Sequence, residues 1–477
     1  MTLEEQWFEN IPDVDHILSQ ERVQEITYDG RIRVSTKAWI LRVVALTGIA
    51  VTLVLNLYQG LKLGDPLVVY STLMPTHELA VFAIGWLFYR SRASGIVTNE
   101  LVSVIIPIFN QIEMIEIVIG AIYKSTYENI EVIAVNDGSS DGTKEILDEL
   151  VYLHPGLRVI HKENEGKRKA VAKGFYASKG RYIVLIDSDS VIDKNAIEEF
   201  IKTFSANRKV GGVVGNGKVW NAGTNFLTKC QDVWYDYAYN IHKTTESAFG
   251  CVLCCSGCLA AYRREAIEEY IPYWIQARIH NSDDRDLTSY AMATPWAKRE
   301  LAPLKQKLME SMAQYDDAED RGLTAQTLVE WETVYVPSAI VYTDVPENLG
   351  KYIRQQIRWK KGYVRSNFYV SAFFWRKNPL MALLFYTEFM TTFTAPLIIF
   401  IIYFYGPFIL HNYWIPLTYV TGQLLIGLTA GLDYRFRDKK AKHWMYKPFM
   451  NIFASVVLSW LILPALWTYR KNRWLTR

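Results

Sequence analysis

Long apolar runs lie near both ends of the chain, and they predict helices that cross a membrane. Residues 39–58 carry no charge after Arg42 and, at about 20 residues, are long enough to span a bilayer. Residues 67–89 predict a second, weaker span, because a proline, a histidine and a glutamate lie in its first half. Residues 381–405 and 413–432 predict two more spans in the last third of the chain.

A further apolar run, residues 449–467, conflicts with the charges around it. If this run crossed the bilayer, the basic tail behind it would lie outside the cell, whereas basic residues collect on the cytosolic side. We therefore predict that the run lies at the cytosolic interface or re-enters it, with a break near Pro464.

Basic residues also orient the first two spans. Arg31, Arg33 and Lys37 precede the first span, and Arg90 and Arg92 follow the second. The positive-inside rule then predicts a hairpin with both ends in the cytosol.

These patterns divide the chain into four predicted parts. They are an N-terminal segment with the hairpin (residues 1–94), a cytosolic domain (95–345), interfacial amphipathic helices (346–379), and transmembrane and interfacial helices (380–477). Residues 294–332 read as a charged helical insertion in the cytosolic domain. Residues 1–13 are acidic and polar, so no cleaved signal peptide is expected.

The block between the spans alternates short β-rich runs with helical patterns. The predicted strands are residues 102–107, 132–135, 158–161 and 182–186. Strands separated by helices indicate an α/β fold with a doubly wound parallel sheet, here attached to an α-helical transmembrane domain. Such sheets bind ligands at the carboxyl ends of their strands.

The composition of the chain indicates which classes of partner it is expected to bind. The chain has 477 residues, 50% of them hydrophobic, and 52 basic against 49 acidic residues give a net charge of only +3. Because the basic residues flank apolar segments, the lipid bilayer is an expected partner and nucleic acid is not. Four of the five cysteines lie within residues 251–258, a spacing that favours reduced thiols in a cytosolic setting over disulfides or a structural zinc site.

Acidic residues near the predicted strand ends are candidates for chemistry. Asp187 and Asp189 follow an apolar strand directly, and two carboxylates at this spacing suit a hard divalent cation. Asp137 follows another strand and is placed either to bind a nucleoside or to cap a turn. Asp283 and Asp284 offer a general base, with an ordinary polar helix start as the alternative.

Basic and aromatic residues supply a second set of candidates. Arg358 offers a planar donor fork for a diphosphate, and the adjacent Trp359 offers a flat face for a sugar ring. Lys167 and Arg168 follow Gly166 and add charge where a diphosphate would lie. Taken singly, each of these segments also fits an ordinary basic patch on the protein surface.

Read in order, these motifs resemble one family. Asp137, Asp187-x-Asp189, Asp283-Asp284-Arg285 and Gln355-x-x-Arg358-Trp359 are similar to the motifs of processive family 2 glycosyltransferases, which include hyaluronan, chitin and cellulose synthases. The resemblance covers about residues 100–477. It implies a GT-A type domain, UDP-sugar donors, Mg²⁺ or Mn²⁺, an inverting transfer that forms β-linkages, and a growing polysaccharide.

The resemblance also implies a role for each motif residue. Asp284 would be the catalytic base, and Asp189 would hold the metal and diphosphate. The implied nucleotide and donor residues are Asp137, Lys167, Arg168, Asp187, Asp189, Gln355, Arg358, Trp474 and Arg477, of which the last two lie in a C-terminal segment similar to the gating loop of hyaluronan synthases. The implied acceptor residues are Trp359, Cys255, Ser256 and Asp283.

Within the family, residues 249–257 and the Asp283-Asp284-Arg285-x-Leu287-Thr288 motif are most similar to hyaluronan synthases. Three departures leave the sugar open: Cys258, Ser282 and Asp286 stand where that family usually has Pro, Gly and His. The expected function is hyaluronan synthesis from UDP-GlcNAc and UDP-GlcA, with a chitin-like or other single-sugar polymer as the alternative. A non-catalytic transporter or scaffold is the alternative of another class.

A secreted polymer requires a polar path between the spans. The candidates for its lining are Glu388, Thr391, Thr392, Thr394, Gln423 and Thr429. The alternative is that these polar side chains only form hydrogen bonds between neighbouring helices. The resemblance places the enzyme in the plasma membrane with its catalytic domain in the cytosol. A monomer or a weak oligomer is expected.

Overall fold

The computed structural model describes residues 30–64, 73–276, 282–300 and 329–469. Eight β-strands within these ranges form one sheet. In chain order they are β1 (Val102–Ile108), β2 (Ile130–Asp137), β3 (Leu157–Lys162), β4 (Tyr182–Leu185), β5 (Ser190–Ile192), β6 (Val210–Val219), β7 (Ala260–Arg263) and β8 (Glu332–Thr343). We call residues 102–343 the sheet domain.

The sheet is mixed rather than wholly parallel. Its order is β3-β2-β1-β4-β7-β6-β8-β5, and β1 to β4 run parallel, with Val104 opposite both Val132 and Val184. Strand β7 lies antiparallel between β4 and β6, where Ala261 pairs with Val184 and Val213. Strands β6 and β8 pair in parallel, and β5 pairs antiparallel with β8. The prediction of an α/β fold is confirmed, and the four strands that the sequence pattern located form the larger parallel part of the sheet.

The helices surround the sheet and extend from it. In chain order they are α1 (Thr36–Leu63), α2 (Leu73–Ala83), α3 (Ile115–Tyr123), α4 (Thr143–Leu153), α5 (Lys167–Ala177), α6 (Ala196–Ala206), α7 (Phe226–Tyr237), α8 (Lys243–Ala248), α9 (Arg264–Ile267), α10 (Ile271–Gln276), α11 (Asp283–Ala291), α12 (Pro295–Glu300), α13 (Leu349–Ser371), α14 (Pro379–Phe400), α15 (Trp414–Arg437), α16 (Lys447–Val456) and α17 (Ile462–Trp467). The π-helical turns Ile84–Phe88, Ala238–His242 and Ile401–Ile409 continue α2, α7 and α14.

Helix α6 shows how the sequence builds the core of the sheet domain. Ile197, Phe200, Ile201 and Phe204 recur at helical spacing, and all four are at most 1% exposed. Burying an aromatic or aliphatic side chain of this size stabilises the fold by about 1.5–3 kcal/mol. This stripe therefore fixes α6 against the sheet.

Three helices in the described ranges are long and apolar enough to cross a membrane: Thr36–Lys62, Pro379–Ile409 and Trp414–Arg437. They coincide with three of the predicted spans. Of the second predicted span, residues 67–72 lie outside the described residues, and the remainder is α2 with its π-helical turn. There the Thr245 hydroxyl donates a hydrogen bond to the Val81 carbonyl, which joins α2 to the sheet domain.

The apolar run at residues 449–467 forms two short helical segments rather than one straight helix. Trp444–Val456 and Leu458–Trp467 meet at an angle of 43°. The break falls at Val457, whereas the sequence predicted it near Pro464. Pro464 lies in the first turn of α17, where a missing N–H costs no helical hydrogen bond, so it causes no break.

Helix α13 carries the basic and aromatic segment and begins at a capped residue. The Asn348 side chain accepts hydrogen bonds from the N–H groups of Gly350 and Lys351. The helix then packs against α11 on one side and against α17 on the other. It therefore connects the sheet domain with the apolar C-terminal helices.

A buried ionic network joins the membrane helices to the sheet domain. Asp433 of α15 accepts a hydrogen bond from Arg42 of α1 at 2.8 Å and another from Arg437 at 3.3 Å. Arg437 also donates to Asp236 of α7 at 2.6 Å. Charges removed from water are tolerated only when they are paired in this way.

Replacing Asp433 by alanine is expected to lower the free energy of unfolding by about 3–5 kcal/mol, because the buried Arg42 loses its ion-pair partner and Arg437 loses one of its carboxylate partners. Thermal unfolding in lipid nanodiscs measures this loss. The control is Asp148→Ala, since the Asp148 side chain that pairs with His161 is 56% exposed and its loss costs at most about 1 kcal/mol. Equal melting temperatures for the two variants would contradict this contribution of Asp433 to stability.

Candidate active site

A cavity of about 2070 Å³ lies at the carboxyl ends of β2 and β4. Ten of the residues predicted from the sequence line it: Asp137, Lys167, Asp187, Asp189, Ser256, Asp283, Asp284, Gln355, Arg358 and Trp359. They come from the strand ends, from α5, from α11 and from α13. The fold thus brings together residues that lie more than 200 positions apart in the chain.

Asp137 ends β2, and its carboxylate fixes the loop in front of α5. It accepts hydrogen bonds from the N–H groups of Glu165 at 3.0 Å and Gly166 at 2.8 Å, and from the Lys162 ammonium at 2.6 Å. Gly138 follows with φ +74°, a conformation that favours glycine. One wall of the cavity is therefore held rigidly at this end.

Lys167 forms an ion pair with Asp187 in the cavity wall. Burial alone lowers the pKa of Lys167, but the attraction and hydrogen bond of Asp187, together with Asp283 and Asp284, outweigh it, so the pKa is raised. Lys167 therefore keeps its positive charge. On Asp189, the Oδ1 atom accepts a hydrogen bond from the Ser190 hydroxyl at 3.2 Å.

Asp284 lies in the first turn of α11 and reaches the same part of the cavity. Its Oδ1 accepts the Arg285 N–H at 2.8 Å, and its Oδ2 accepts the Gly257 N–H at 3.3 Å. A Cβ atom on Gly257 would lie 3.3 Å from the Asp187 carboxylate and from the Lys167 ammonium. One glycine therefore separates Asp284 from the Asp187–Lys167 pair.

Arg168 does not line the cavity, contrary to the prediction that it binds the donor. Its guanidinium is buried and bonds to Asp283 at 2.8 Å, to Asp286 at 2.9 Å and to the Trp274 carbonyl at 2.8 Å. Consecutive helical residues point about 100° apart, so Lys167 and Arg168 at the start of α5 face opposite sides of the wall. Arg168 therefore ties α5 to α11.

The hydrogen bonds of Arg168 also explain the positions of two other residues that the sequence analysis singled out, Asp283 and Asp286. Asp283 lines the cavity, but its carboxylate is held by Arg168. Asp286, the departure from the usual histidine, additionally accepts the Ser366 hydroxyl at 3.0 Å and lies 3.3 Å from Arg365. It thus joins α11 to α13 as well as to α5.

Cys255 also lies behind the wall rather than in it. It is fully buried, and its N–H donates to the Thr288 hydroxyl at 2.8 Å. Side chains alternate along an extended segment, so Cys254, Ser256 and Cys258 face the cavity and Cys255 faces the core. Burial raises the pKa of Cys254 to about 11, which keeps this thiol protonated.

On α13, Trp359 stacks on Trp234 with ring centroids 5.8 Å apart and an interplanar angle of 15°. This contact fixes the indole plane at the cavity surface. Burial lowers the pKa of Arg358, while Asp284, Asp283 and Asp187 act in the opposite direction. Gln355 lines the cavity too, and its buried Oε1 has no hydrogen-bond partner in the described ranges.

The cavity continues beyond Trp359 to the membrane helices. Glu388 and Thr392 of α14 line this part, and the Thr392 hydroxyl lies 3.3 Å from that of Tyr363. The other four predicted path residues do not line it: Thr391, Thr394, Gln423 and Thr429. Two more predicted residues, Trp474 and Arg477, lie outside the described residues.

Sequence reasoning missed several lining residues or their partners. Lys162 stands directly opposite Asp137 in the parallel register of β2 and β3, so strand alignment would have found it. Trp234 and Glu246 belong to a helical region without a recognisable motif. Only the packing of that region against α13 reveals them.

Comparison with known proteins agrees with this geometry. Residues 103–271 match the family model described as glycosyl transferase family 2. This chain contains a family 2 glycosyltransferase domain. The transferase is therefore a sugar-transferring enzyme, which removes the alternative of a non-catalytic scaffold, and its mixed sheet and flanking helices form a GT-A type domain.

Two curated relatives are polysaccharide synthases. The hyaluronan synthase of Streptococcus pyogenes is 27% identical over 448 residues, which are 90% of this transferase and 94% of that protein. The poly-beta-1,6-N-acetyl-D-glucosamine synthase of Staphylococcus epidermidis is 26% identical over 263 residues, covering 55% of this chain and 54% of that protein.

Among solved structures, the mannosyltransferase PcManGT from Pyrobaculum calidifontis, in complex with GDP-Man and Mn²⁺, gives a TM-score of 0.47 at 18% identity. The match covers 81% of this chain and 97% of that one. At this TM-score and identity, the match supports no conclusion about which ligands the transferase binds.

Lys167→Gln and Arg168→Gln are expected to fail in different ways, although the residues are neighbours. Arg168→Gln removes the cation that pairs with Asp283 and leaves Asp286 to Arg365, and it should cost about 3–5 kcal/mol of stability. Lys167→Gln breaks a pair that still contacts solvent, with side chains 26% and 30% exposed; it should cost less, about 1 kcal/mol, and should mainly slow sugar transfer. Thermal unfolding and UDP release measure the two effects, and a stable Arg168→Gln enzyme would contradict the structural role of Arg168.

Proposed function

We propose that this membrane glycosyltransferase is a processive synthase that joins UDP-sugars through β-linkages and passes the polymer through its membrane helices. One observation carries the proposal: a single cavity extends from Asp137 past Asp284 and Trp359 to Glu388 on a membrane-spanning helix. An enzyme that made one transfer to a small acceptor would not require this continuation.

The donor lies between Asp137 and Arg358 in this proposal. Asp137 borders the uridine, while Lys167 and Arg358 face the diphosphate as cations. Asp189 would hold Mg²⁺ or Mn²⁺, since carboxylate oxygens suit both ions. No set of three or more His, Cys, Asp or Glu side chains clusters around a metal position in the described ranges, so substrate phosphates would supply further ligands.

The transfer itself requires one base and one leaving group. Asp284 takes the proton from the acceptor hydroxyl, whose oxygen then forms a bond to the anomeric carbon of the donor sugar. The bond from that carbon to the diphosphate breaks, and UDP leaves with the bonding electrons. The divalent cation, when bound, stabilises the charge that develops on the diphosphate. Trp359 holds the acceptor ring against its indole face.

For the product, hyaluronan from UDP-GlcNAc and UDP-GlcA has the stronger support, because the similarity to the streptococcal hyaluronan synthase extends over 90% of the chain. A polymer of one sugar is the second candidate. It is supported by the likeness to the staphylococcal N-acetylglucosamine polymer synthase, and the departures at Cys258, Ser282 and Asp286 leave the choice of sugar open.

The distribution of basic residues supports a plasma-membrane enzyme with the sheet domain in the cytosol. Arg435 and Arg437 lie in the last turn of the span Trp414–Arg437, and Lys439 and Lys440 follow it, on the side where the sheet domain lies. UDP-sugars are cytosolic, so this orientation gives the cavity access to its donors. We propose a monomer or a weak oligomer, since one chain supplies the whole cavity.

UDP release from purified enzyme in nanodiscs, with each UDP-sugar alone and in pairs, tests the product. Sustained release and polymer formation only with UDP-GlcNAc and UDP-GlcA together are expected for hyaluronan. Long chains from UDP-GlcNAc alone would instead establish a single-sugar polymer. Release without any polymer would overturn the processive synthase.

A further inference from the structure

The loop of residues 138–142 joins β2 to α4 beside the end of the cavity that contains Asp137. Asn110 lies against this loop, lines the cavity and has a φ of +51°, which is uncommon for a residue other than glycine. Its N–H donates to the Ser139 hydroxyl at 2.9 Å, and its Oδ1 accepts the Ser140 N–H at 2.9 Å. The conformation of Asn110 at the cavity surface therefore depends on the position of the loop.

Asn136 holds the same loop from inside the sheet domain. This side chain is buried, and its Oδ1 accepts the Ser139 N–H at 3.0 Å. Its Nδ2 lies 3.0 Å from Nδ1 of His161, the residue opposite Asn136 in the register of β2 and β3. Because a backbone N–H only donates, the amide oxygen must face Ser139, and the amide nitrogen must donate to His161.

This orientation of the amide also fixes the tautomer of His161. Since Nδ1 accepts a hydrogen bond, the proton of the neutral imidazole is on Nε2. Nε2 then donates to Asp148 Oδ1 on α4 at 3.0 Å. A carboxylate, an imidazole and a carboxamide are thus joined in one chain of hydrogen bonds that ends at Ser139.

The outer and inner parts of this chain lie in different surroundings. The side chains of His161 and Asp148 are 31% and 56% exposed, and a pair with so much solvent contact contributes little to folding. Asn136 is buried, and the Ser139 that it holds bonds in turn to Asn110 at the cavity. The order that His161 imposes therefore reaches the cavity.

We propose that His161 is a positioning residue for donor binding, which acts through Asn136 to hold Asn110 and residues 138–142 in the shape that receives the nucleoside. His161 does not line the cavity, so it acts on the donor only through these residues. Lys162, the next residue on the edge strand β3, holds the Asp137 carboxylate. The proposal rests on the position of the uridine proposed above.

The test compares His161→Phe, which keeps a ring but no nitrogen, with His161→Asn, whose Oδ1 replaces the Nδ1 acceptor because both atoms are attached to Cγ. In nanodiscs, His161→Phe should raise the Kd for UDP about tenfold, as expected for a lost hydrogen bond to a buried amide. In UDP release with UDP-GlcNAc and UDP-GlcA, its KM should rise equally while kcat stays within about twofold of wild type. His161→Asn should restore most of the affinity.

UMP and pyrophosphate, used as competitors, separate the nucleoside from the diphosphate. In His161→Phe, inhibition by UMP should weaken about as much as UDP binding, whereas inhibition by pyrophosphate should not change. Asp148→Ala leaves the Asn136 contact in place and should raise the Kd for UDP less, about threefold. The control is Arg158→Gln on the same strand, whose guanidinium bonds the Ala177 carbonyl and Glu131 and which should bind UDP as wild type does.

Three results would overturn the role of His161: an unchanged Kd for UDP in His161→Phe, equal losses for UMP and pyrophosphate, or a fall in kcat at constant KM. The last result is the one expected if the substitution only reduced the amount of folded enzyme. If the wild-type enzyme binds no UDP, the proposed function itself fails, and the role of His161 fails with it.

Discussion

The buried guanidinium of Arg168 is the constraint on which the site depends. It bonds two carboxylates of α11, Asp283 and Asp286, and so fixes that helix against α5. Lys167 at the start of α5 and Asp284 at the start of α11 consequently face each other across Gly257. A buried charge that loses its partners is expensive, so separating the two helices would destabilise the fold.

A second consequence is that the proposed sites of donor binding and polymer export share one cavity. Asp286 also bonds Ser366 of α13, the helix that presents Arg358 and Trp359 to the cavity. The same helix packs against α17, and the cavity passes from its surface to Glu388. The proposed donor position, acceptor platform and polymer path are thus set relative to one another by a few buried polar contacts.

The sequence predicted much of this fold because its strongest patterns are local. Strand β4 is a continuous apolar run and β1 nearly so, and the long spans are recognisable from their length and hydropathy. Strand β7 was missed because its four residues carry no pattern of their own, and only their pairing with β4 and β6 defines them. The break at Val457 lies before Pro464 and therefore was not located by the proline.

The candidate site was predictable in position but less so in detail. The order of the motifs located the carboxylates, but it did not show that Arg168 and Cys255 face the core while Lys167 and Cys254 face the cavity.

The most direct test of the proposed mechanism is Asp284→Asn, which nearly preserves the shape of the side chain and removes the base. UDP-sugar binding should remain while UDP release falls at least about 100-fold. A variant that still releases UDP at the wild-type rate would contradict the assignment of Asp284.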